Sequence, residues 1–259
     1  MVAPVAAARR LVEARGVGVA HILTPRRTTK FEGTKAGIRL RAQRDLYDLC
    51  KNILGYRDMT DAFHRPMLEW SQHNPAKKKL VLAPRGTYKS SGSCGKTVQY
   101  ILNHPERCTL LGSNKAANAQ KFLAEIEGHL ANELLVWAFP EILWSSEREQ
   151  GDHYLKEKLI VKRPKGTRPR REATIETNGV EGELVSNHYE RGVFDDLVGL
   201  ENSQTRTERM GVIDWYETAQ ALVDQPTPDR ADQDCYGTPW DYDDLYAHML
   251  AKRARGEIH

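Results

Sequence analysis

Apolar residues recur at three- and four-residue spacing in several stretches of the chain and gather into short runs between them. Over 36–54 the apolar positions Ile38, Leu46, Leu49, Ile53 and Leu54 fall mainly at this spacing, and Gly55 follows; that predicts an amphipathic helix with a glycine stop. A shorter helix is predicted over 61–72. The pattern then changes. Lys79-Leu80-Val81-Leu82-Ala83 is a compact apolar run ending in Pro84-Arg85-Gly86, which reads as a buried strand entering a turn. A helix follows through Val98, Ile101 and Leu102, and Cys108-Thr109-Leu110-Leu111 reads as the next strand. Ala116, Ala119, Phe122, Ile126, Leu130 and Leu134 mark the face of a long helix. Thr174-Ile175-Glu176-Thr177 and Gly192-Val193-Phe194 are further strand segments. Met210, Ile213, Tyr216, Ala219 and Leu222 form another helical stripe, and Cys235-Tyr236-Gly237 is a last short strand.

Strands alternating with helices of this length predict an α/β fold with a mostly parallel central sheet flanked by helices. Ligands in such sheets sit beyond the carboxyl ends of the strands. The turns after Ala83, Phe194 and Gly237 are therefore expected along one edge. Residues 1–35 lack sustained periodicity and carry Gly16, Gly18, Pro25, Gly33 and paired arginines, as an arm would. With the helix that follows, 1–58 is expected to be a basic helical N-terminal segment and 59–259 the main domain.

Composition narrows the class. Of 259 residues 40 % are apolar and 28 % charged, enough for a real core. Mean hydropathy is −0.62 and no run of 18 apolar residues occurs, so no membrane-spanning helix is expected. Cys50, Cys94, Cys108 and Cys235 are scattered without a CxxC pair, which argues against a disulfide scaffold or structural zinc site and for a reducing compartment. The start lacks a signal-peptide pattern, so a cytoplasmic protein is expected. The net charge of +3 is unevenly spread: residues 1–60 hold 12 Lys/Arg against 5 Asp/Glu. A second basic cluster comprises Lys162, Arg163, Lys165, Arg168, Arg170 and Arg171. Split charge of this kind suits a polyanionic partner such as nucleic acid, and equally a solvated surface.

The chemistry-bearing turn is Ala83-Pro84-Arg85-Gly86-Thr87-Tyr88-Lys89-Ser90-Ser91. It follows a strand and precedes a helix, as does the phosphate-binding pattern G-x-x-x-x-G-K-[ST]. Ala83 and Tyr88 stand at the two glycine positions, while Lys89 and Ser90 keep theirs. Backbone N–H groups at a helix start face an anion, an ammonium reaches the β and γ phosphates, and a hydroxyl ligates Mg²⁺. Tyr88 in place of glycine requires a strained backbone or a variant loop. A second GKT sequence, Gly95-Lys96-Thr97, begins too far past the strand, so Lys89 is the preferred phosphate lysine; read alone, the stretch 83–91 fits a strand–turn–helix with an incidental lysine equally well.

Asp195-Asp196 at the end of Gly192-Val193-Phe194 supplies a complement. A triphosphatase needs one carboxylate behind its Mg²⁺ and a second beside the γ phosphate, and alternation along a strand points adjacent acids to different tasks. Taken alone, an acidic pair after a strand reads more readily as a solvated turn. Thr238, in Gly237-Thr238-Pro239-Trp240, sits at a later strand end, where it could sense the γ phosphate or simply belong to a turn closed by an aromatic.

These three features, in this order, resemble the ATPase domain of the large terminase subunit of tailed bacteriophages, the motor that packages DNA into the capsid. The match runs over roughly 60–250. It is carried by the loop 83–91, by Asn132-Glu133-Leu134 through Phe139-Pro140-Glu141, by Glu172-Ala173-Thr174-Ile175-Glu176 with the Gly179–Gly182 loop before Val193-Phe194-Asp195-Asp196, and by Gly237-Thr238-Pro239-Trp240 with Asp244-Leu245-Tyr246. The resemblance implies a P-loop NTPase of the ASCE type that binds ATP and Mg²⁺. It implies that the loop from Pro84 to Ser91 holds ATP, with Lys89 on the β and γ phosphates and Ser90 on the metal. Asp195 would be the acid behind the metal and Asp196 the catalytic carboxylate. Thr238 would belong to the coupling motif, and Arg85 is a candidate γ-phosphate contact.

The implied partners are double-stranded DNA, other copies in a homo-oligomeric ring, the phage portal protein and the small terminase subunit, in the cytoplasm of the infected bacterial host; no membrane is implied. Arg168, Arg170 and Arg171 are candidate DNA contacts. Two departures stand out. The stretch Val185-Ser186-Asn187-His188 lacks the arginine many relatives place before the acidic strand; Arg191 and the 168–171 cluster are nearby substitutes. Family members also carry a C-terminal nuclease domain of on the order of 100 further residues, so the resemblance leads one to expect either an isolated motor domain here or a nuclease that resides elsewhere. Two other readings remain open: a helicase-like ATPase that remodels nucleic acid, and a nucleic-acid-binding scaffold whose degenerate loop no longer hydrolyses ATP.

Overall fold

The computed structural model describes residues 33–167, 170–184, 187–223 and 232–255. Residues 1–32 of the expected arm therefore lie outside the described residues, as do Arg168, Val185 and Ser186.

A seven-stranded sheet forms the centre, in the order β1-β7-β6-β2-β5-β4-β3. Its strands are β1 (Lys78–Leu82), β2 (Thr109–Ser113), β3 (Tyr154–Leu155), β4 (Lys158–Leu159), β5 (Ile175–Gly179), β6 (Arg191–Asp195) and β7 (Asp232–Gly237). The five strands β1, β7, β6, β2 and β5 are mutually parallel; β4 and β3 add an antiparallel hairpin beyond β5. The fold is thus α/β with a mostly parallel sheet flanked by helices. Among the described residues β1 pairs only with β7, and β7 lies between β1 and β6.

The helices are α1 (Lys35–Arg44), α2 (Leu46–Asp48), α3 (His64–His73), α4 (Lys89–Asn103), α5 (Ala116–Leu130), α6 (Glu133–Ala138), α7 (Glu147–His153), α8 (Arg206–Val223) and α9 (Leu245–Ala254). Two helices expected as continuous are broken. Asp45 takes an extended conformation between α1 and α2, and its carboxylate caps Asp48 N–H at 3.0 Å; the Leu46 N–H donates instead to Gln72 Oε1. A π-helical turn, Leu49–Ile53, follows, and Gly55 ends it at φ +88°. The second break separates α5 from α6, because the Asn132 side chain accepts from Leu134 N–H and Leu135 N–H and starts a new helix.

Alternation along the inner strands builds two cores. Leu111, Val193 and Ile175 pack with Val98, Ile101 and Leu102 of α4 and Leu123, Ile126 and Leu130 of α5. Leu110, Phe194 and Cys235 face the other way, toward Val212, Trp215 and Tyr216 of α8 and Leu245, Tyr246 and Met249 of α9. Each such fully buried large side chain contributes roughly 1.5–3 kcal/mol. The described residues from Thr34 onward form one compact unit. Ile38, Ala42, Leu49 and Ile53 belong to the same core as α4, so the helical part of the segment expected over 1–58 is built into the main body.

Candidate functional site

Sheet register brings three distant segments to one edge. Leu82 pairs with Gly237, and Asp195 stands opposite both Ser113 and Tyr236. The turns after Ala83, Phe194 and Gly237 therefore meet at the carboxyl ends of β1, β6 and β7.

The loop after β1 is pinned at each end. Ala83 N–H donates to Gly237 O at 3.2 Å, and Thr87 Oγ1 donates to Pro84 O at 2.7 Å. Gly86 adopts φ +79°, which glycine accepts without cost. Tyr88 adopts φ 55° and ψ 23°, a left-handed conformation directly before α4. It is the strained backbone that tyrosine in a glycine position requires. Its side chain supplies the anchorage: the hydroxyl donates to Asp58 Oδ2 at 3.2 Å, the His64 ring meets it edge-on at 5.5 Å, and it packs on the small core around Tyr47, Met59 and Leu68. Asp58 and His64 carry no sequence signal that ties them to the loop.

At the first turn of α4, Lys89 and Ser90 each meet one of the paired acids. Lys89 Nζ lies 3.3 Å from Asp196 Oδ2, and Ser90 Oγ donates to Asp195 Oδ1 at 3.0 Å. Asp195 is the last residue of β6. Asp196 follows at φ 46°, its N–H donating to Tyr236 O at 2.9 Å, so the chain turns sharply and presents the two carboxylates in different directions. Burial, then the neighbouring Asp196, pushes the Asp195 carboxyl up to about 7, against the opposing pull of Ser90 and Lys89. Asp196 Oδ1 is buried without a hydrogen-bond partner. A hydroxyl, a carboxylate short of positive charge and an orphaned carboxylate oxygen form a set of hard oxygen donors, which fits Mg²⁺.

Residues 85–91 and Asp196 line an open cleft of about 550 Å³. Of the loop proposed from sequence, Pro84 to Ser91, every residue from Arg85 to Ser91 borders the cleft and Pro84 does not. A smaller cavity on the other side of the acids is bordered by Asp195, Asp196, Ser113, Asn114 and Asn118. Asn114 and Asn118, joined by a 2.8 Å hydrogen bond, were not legible as site residues, because only the β2–β6 pairing brings them there.

The segment after β7 touches the loop twice. Thr238 Oγ1 donates to Ala83 O at 3.2 Å, and the Arg85 guanidinium lies 5.2 Å over the Trp240 ring. Asp244 is a buried N-cap for α9; its side chain accepts from the N–H groups of Trp240, Asp241, Tyr246 and Ala247 and so holds the 240–244 turn shut.

The other basic candidates are engaged elsewhere. Lys96 is buried in the middle of α4, donating to Asp234 Oδ1 at 2.6 Å and to Ser71 O at 2.9 Å. Gly95 lets α4 approach Cys50, and Thr97 Oγ1 donates to Ser93 O within the helix, so each residue of the GKT sequence has a packing task. Arg191, considered as a trans arginine, is fully buried at the opposite end of β6, 2.8 Å from Asp234 and stacked on Tyr100; it cannot reach another subunit. Arg170 spends its guanidinium on Glu190 and on Cys108 Sγ, so it is not a free phosphate contact. Arg171 and Lys165 are exposed.

The geometry defines a class: an α/β protein whose lysine, hydroxyl and twin acids converge beside an open cleft at the carboxyl edge of a parallel sheet. No protein-family model matches the sequence, and no curated protein matches it either. Among the described residues no helix is long and apolar enough to cross a membrane.

Proposed function

We propose that this chain is the P-loop ATPase motor of a phage DNA-packaging terminase, of the ASCE type. The observation that carries the reading is the crossed pairing of adjacent residues: Lys89 with Asp196 and Ser90 with Asp195, each over more than 100 residues of sequence. The placement of β7 between the loop strand and the acid strand supports it.

In the proposed reaction Lys89 leaves Asp196 for the β and γ phosphate oxygens when ATP enters the cleft. Asp196 is then free to accept a hydrogen bond from the attacking water and take up its proton, as the water oxygen bonds to the γ phosphorus and the bond to the bridging oxygen of ADP breaks. Ser90 and Asp195 would hold Mg²⁺, which neutralises developing charge on the phosphates. Thr238 and Trp240, touching Ala83 and Arg85, transmit the loss of the γ phosphate to the 238–244 segment. A ring of copies, with a cation supplied in trans, double-stranded DNA, portal protein and small terminase subunit as partners, and the infected host's cytoplasm as location rest on the terminase resemblance.

The test is phosphate release from Mg-ATP at high protein concentration with duplex and with single-stranded DNA. Stimulation by duplex supports the packaging reading. Greater stimulation by single strands favours a helicase, and no release above buffer favours a scaffold.

A further inference from the structure

A cluster outside the cleft has the chemistry of a transition-metal site. Cys94 Sγ, a Glu125 carboxylate oxygen and a His129 ring nitrogen all lie within 4.8 Å of one another. Cys94 belongs to α4; Glu125 and His129 stand four residues apart on α5 and so share one helical face. The Tyr56 hydroxyl closes the group. It donates to Glu125 Oε1 and lies 2.8 Å from His129 Nε2. Cys94 is buried, His129 half-buried and Glu125 exposed, which gives the cluster a wet side through which an ion can enter.

The geometry points to a zinc site formed by Cys94, Glu125 and His129, with Tyr56 oxygen or water in the fourth position. Thiolate with imidazole selects zinc and its neighbours over magnesium, which prefers oxygen alone. A tetrahedron of such bonds has edges of about 3.5 Å, so the three groups close by small side-chain rotations. Coordination replaces the Cys94 thiol proton, which leaves to solvent, with a sulfur–metal bond; Tyr56 gives up its hydrogen bond to His129. The ion joins α4, whose first turn carries Lys89 and Ser90, to α5. The inference stands independently of ATP hydrolysis, and Tyr56, Glu125 and His129 carry no sequence signal that ties them to Cys94, because tertiary packing alone brings them beside it.

The experiment is titration of the reduced full-length chain with Co²⁺, followed by Zn²⁺, in excess Mg²⁺. The expected result is one equivalent of cobalt with a thiolate-to-metal charge-transfer band, displaced by zinc and unaffected by magnesium. Cys94→Ala and His129→Ala each abolish the band. Because Cys94 is buried, His129→Ala, at a half-exposed surface, decides the matter if Cys94→Ala fails to fold. No band with the wild-type chain, or a band that survives His129→Ala, overturns the site.

Discussion

Lys89 and Lys96 lie seven residues apart on α4, and therefore on nearly the same helical face, yet their ammonium groups end against different strands. Two turns separate them by roughly 10 Å along the axis. Lys89 reaches Asp196 beyond the end of β6, beside the open cleft, whereas Lys96 reaches Asp234 in the buried interior of β7. The first pair can exchange partners with a ligand; the second holds the sheet and α4 together.

Substitution separates the two roles. Lys89→Ala is expected to lower ATP turnover about 100-fold or more while leaving the melting temperature nearly unchanged. Lys96→Ala is expected to cost about 3 kcal/mol of stability, since it leaves Asp234 buried with one cation fewer. Steady-state ATPase rates and urea denaturation of both variants check this. Loss of turnover in Lys96→Ala at full stability, with Lys89→Ala active, would reverse the assignment.

Asp196→Asn keeps the shape of the side chain and removes its basicity. Turnover is expected to fall by about 10²–10⁴-fold with nucleotide affinity retained. Fluorescent-nucleotide binding beside single-turnover hydrolysis reads both quantities. An active Asp196→Asn enzyme would move the water-orienting role elsewhere.

The buried Asp195 carboxyl predicts a pH dependence with a definite sign. It titrates at about 7 in the folded chain against an ordinary 3.8, so between these values the folded state holds a proton that the unfolded state has lost. Its contribution makes stability fall as pH rises through that window, by up to about 1.4 kcal/mol per unit. In Mg²⁺-free buffer Asp195→Asn is expected to remove this slope and to be the more stable chain at about pH 8. Identical pH profiles for the two chains would contradict it.

Tyr88 combines a strained backbone with an anchored ring, and the two contributions can be separated. Tyr88→Gly relieves the positive φ and loses the ring; Tyr88→Ala loses the ring but keeps the strain. The glycine variant is expected to melt about 3 °C above the alanine variant. Equal melting temperatures would mean that the left-handed turn is not maintained in solution.

Much of this protein was legible from order along the chain. The 3.6-residue periodicity of α4 and α8, the apolar runs of β1, β2 and β6, and the alternation between them follow from local burial, so the sequence alone determined an α/β sheet and the edge on which its loops gather. It also marked Lys89, Ser90, Asp195, Asp196 and Thr238 as chemically apt residues. The capping box Ser146–Glu149 that starts α7 is equally local. Other outcomes required the third dimension. Asp45 and Asn132 break helices whose apolar stripes run through them, because their side chains cap backbone N–H groups better than the continued helix would. Arg170, Arg191 and Lys96 looked like available cations and are held by Glu190 and Asp234, partners chosen by strand order. Side-chain charge is a property of the residue, but whether that charge faces a ligand or a buried counter-ion depends on which strands lie side by side, and that is decided only when the sheet assembles.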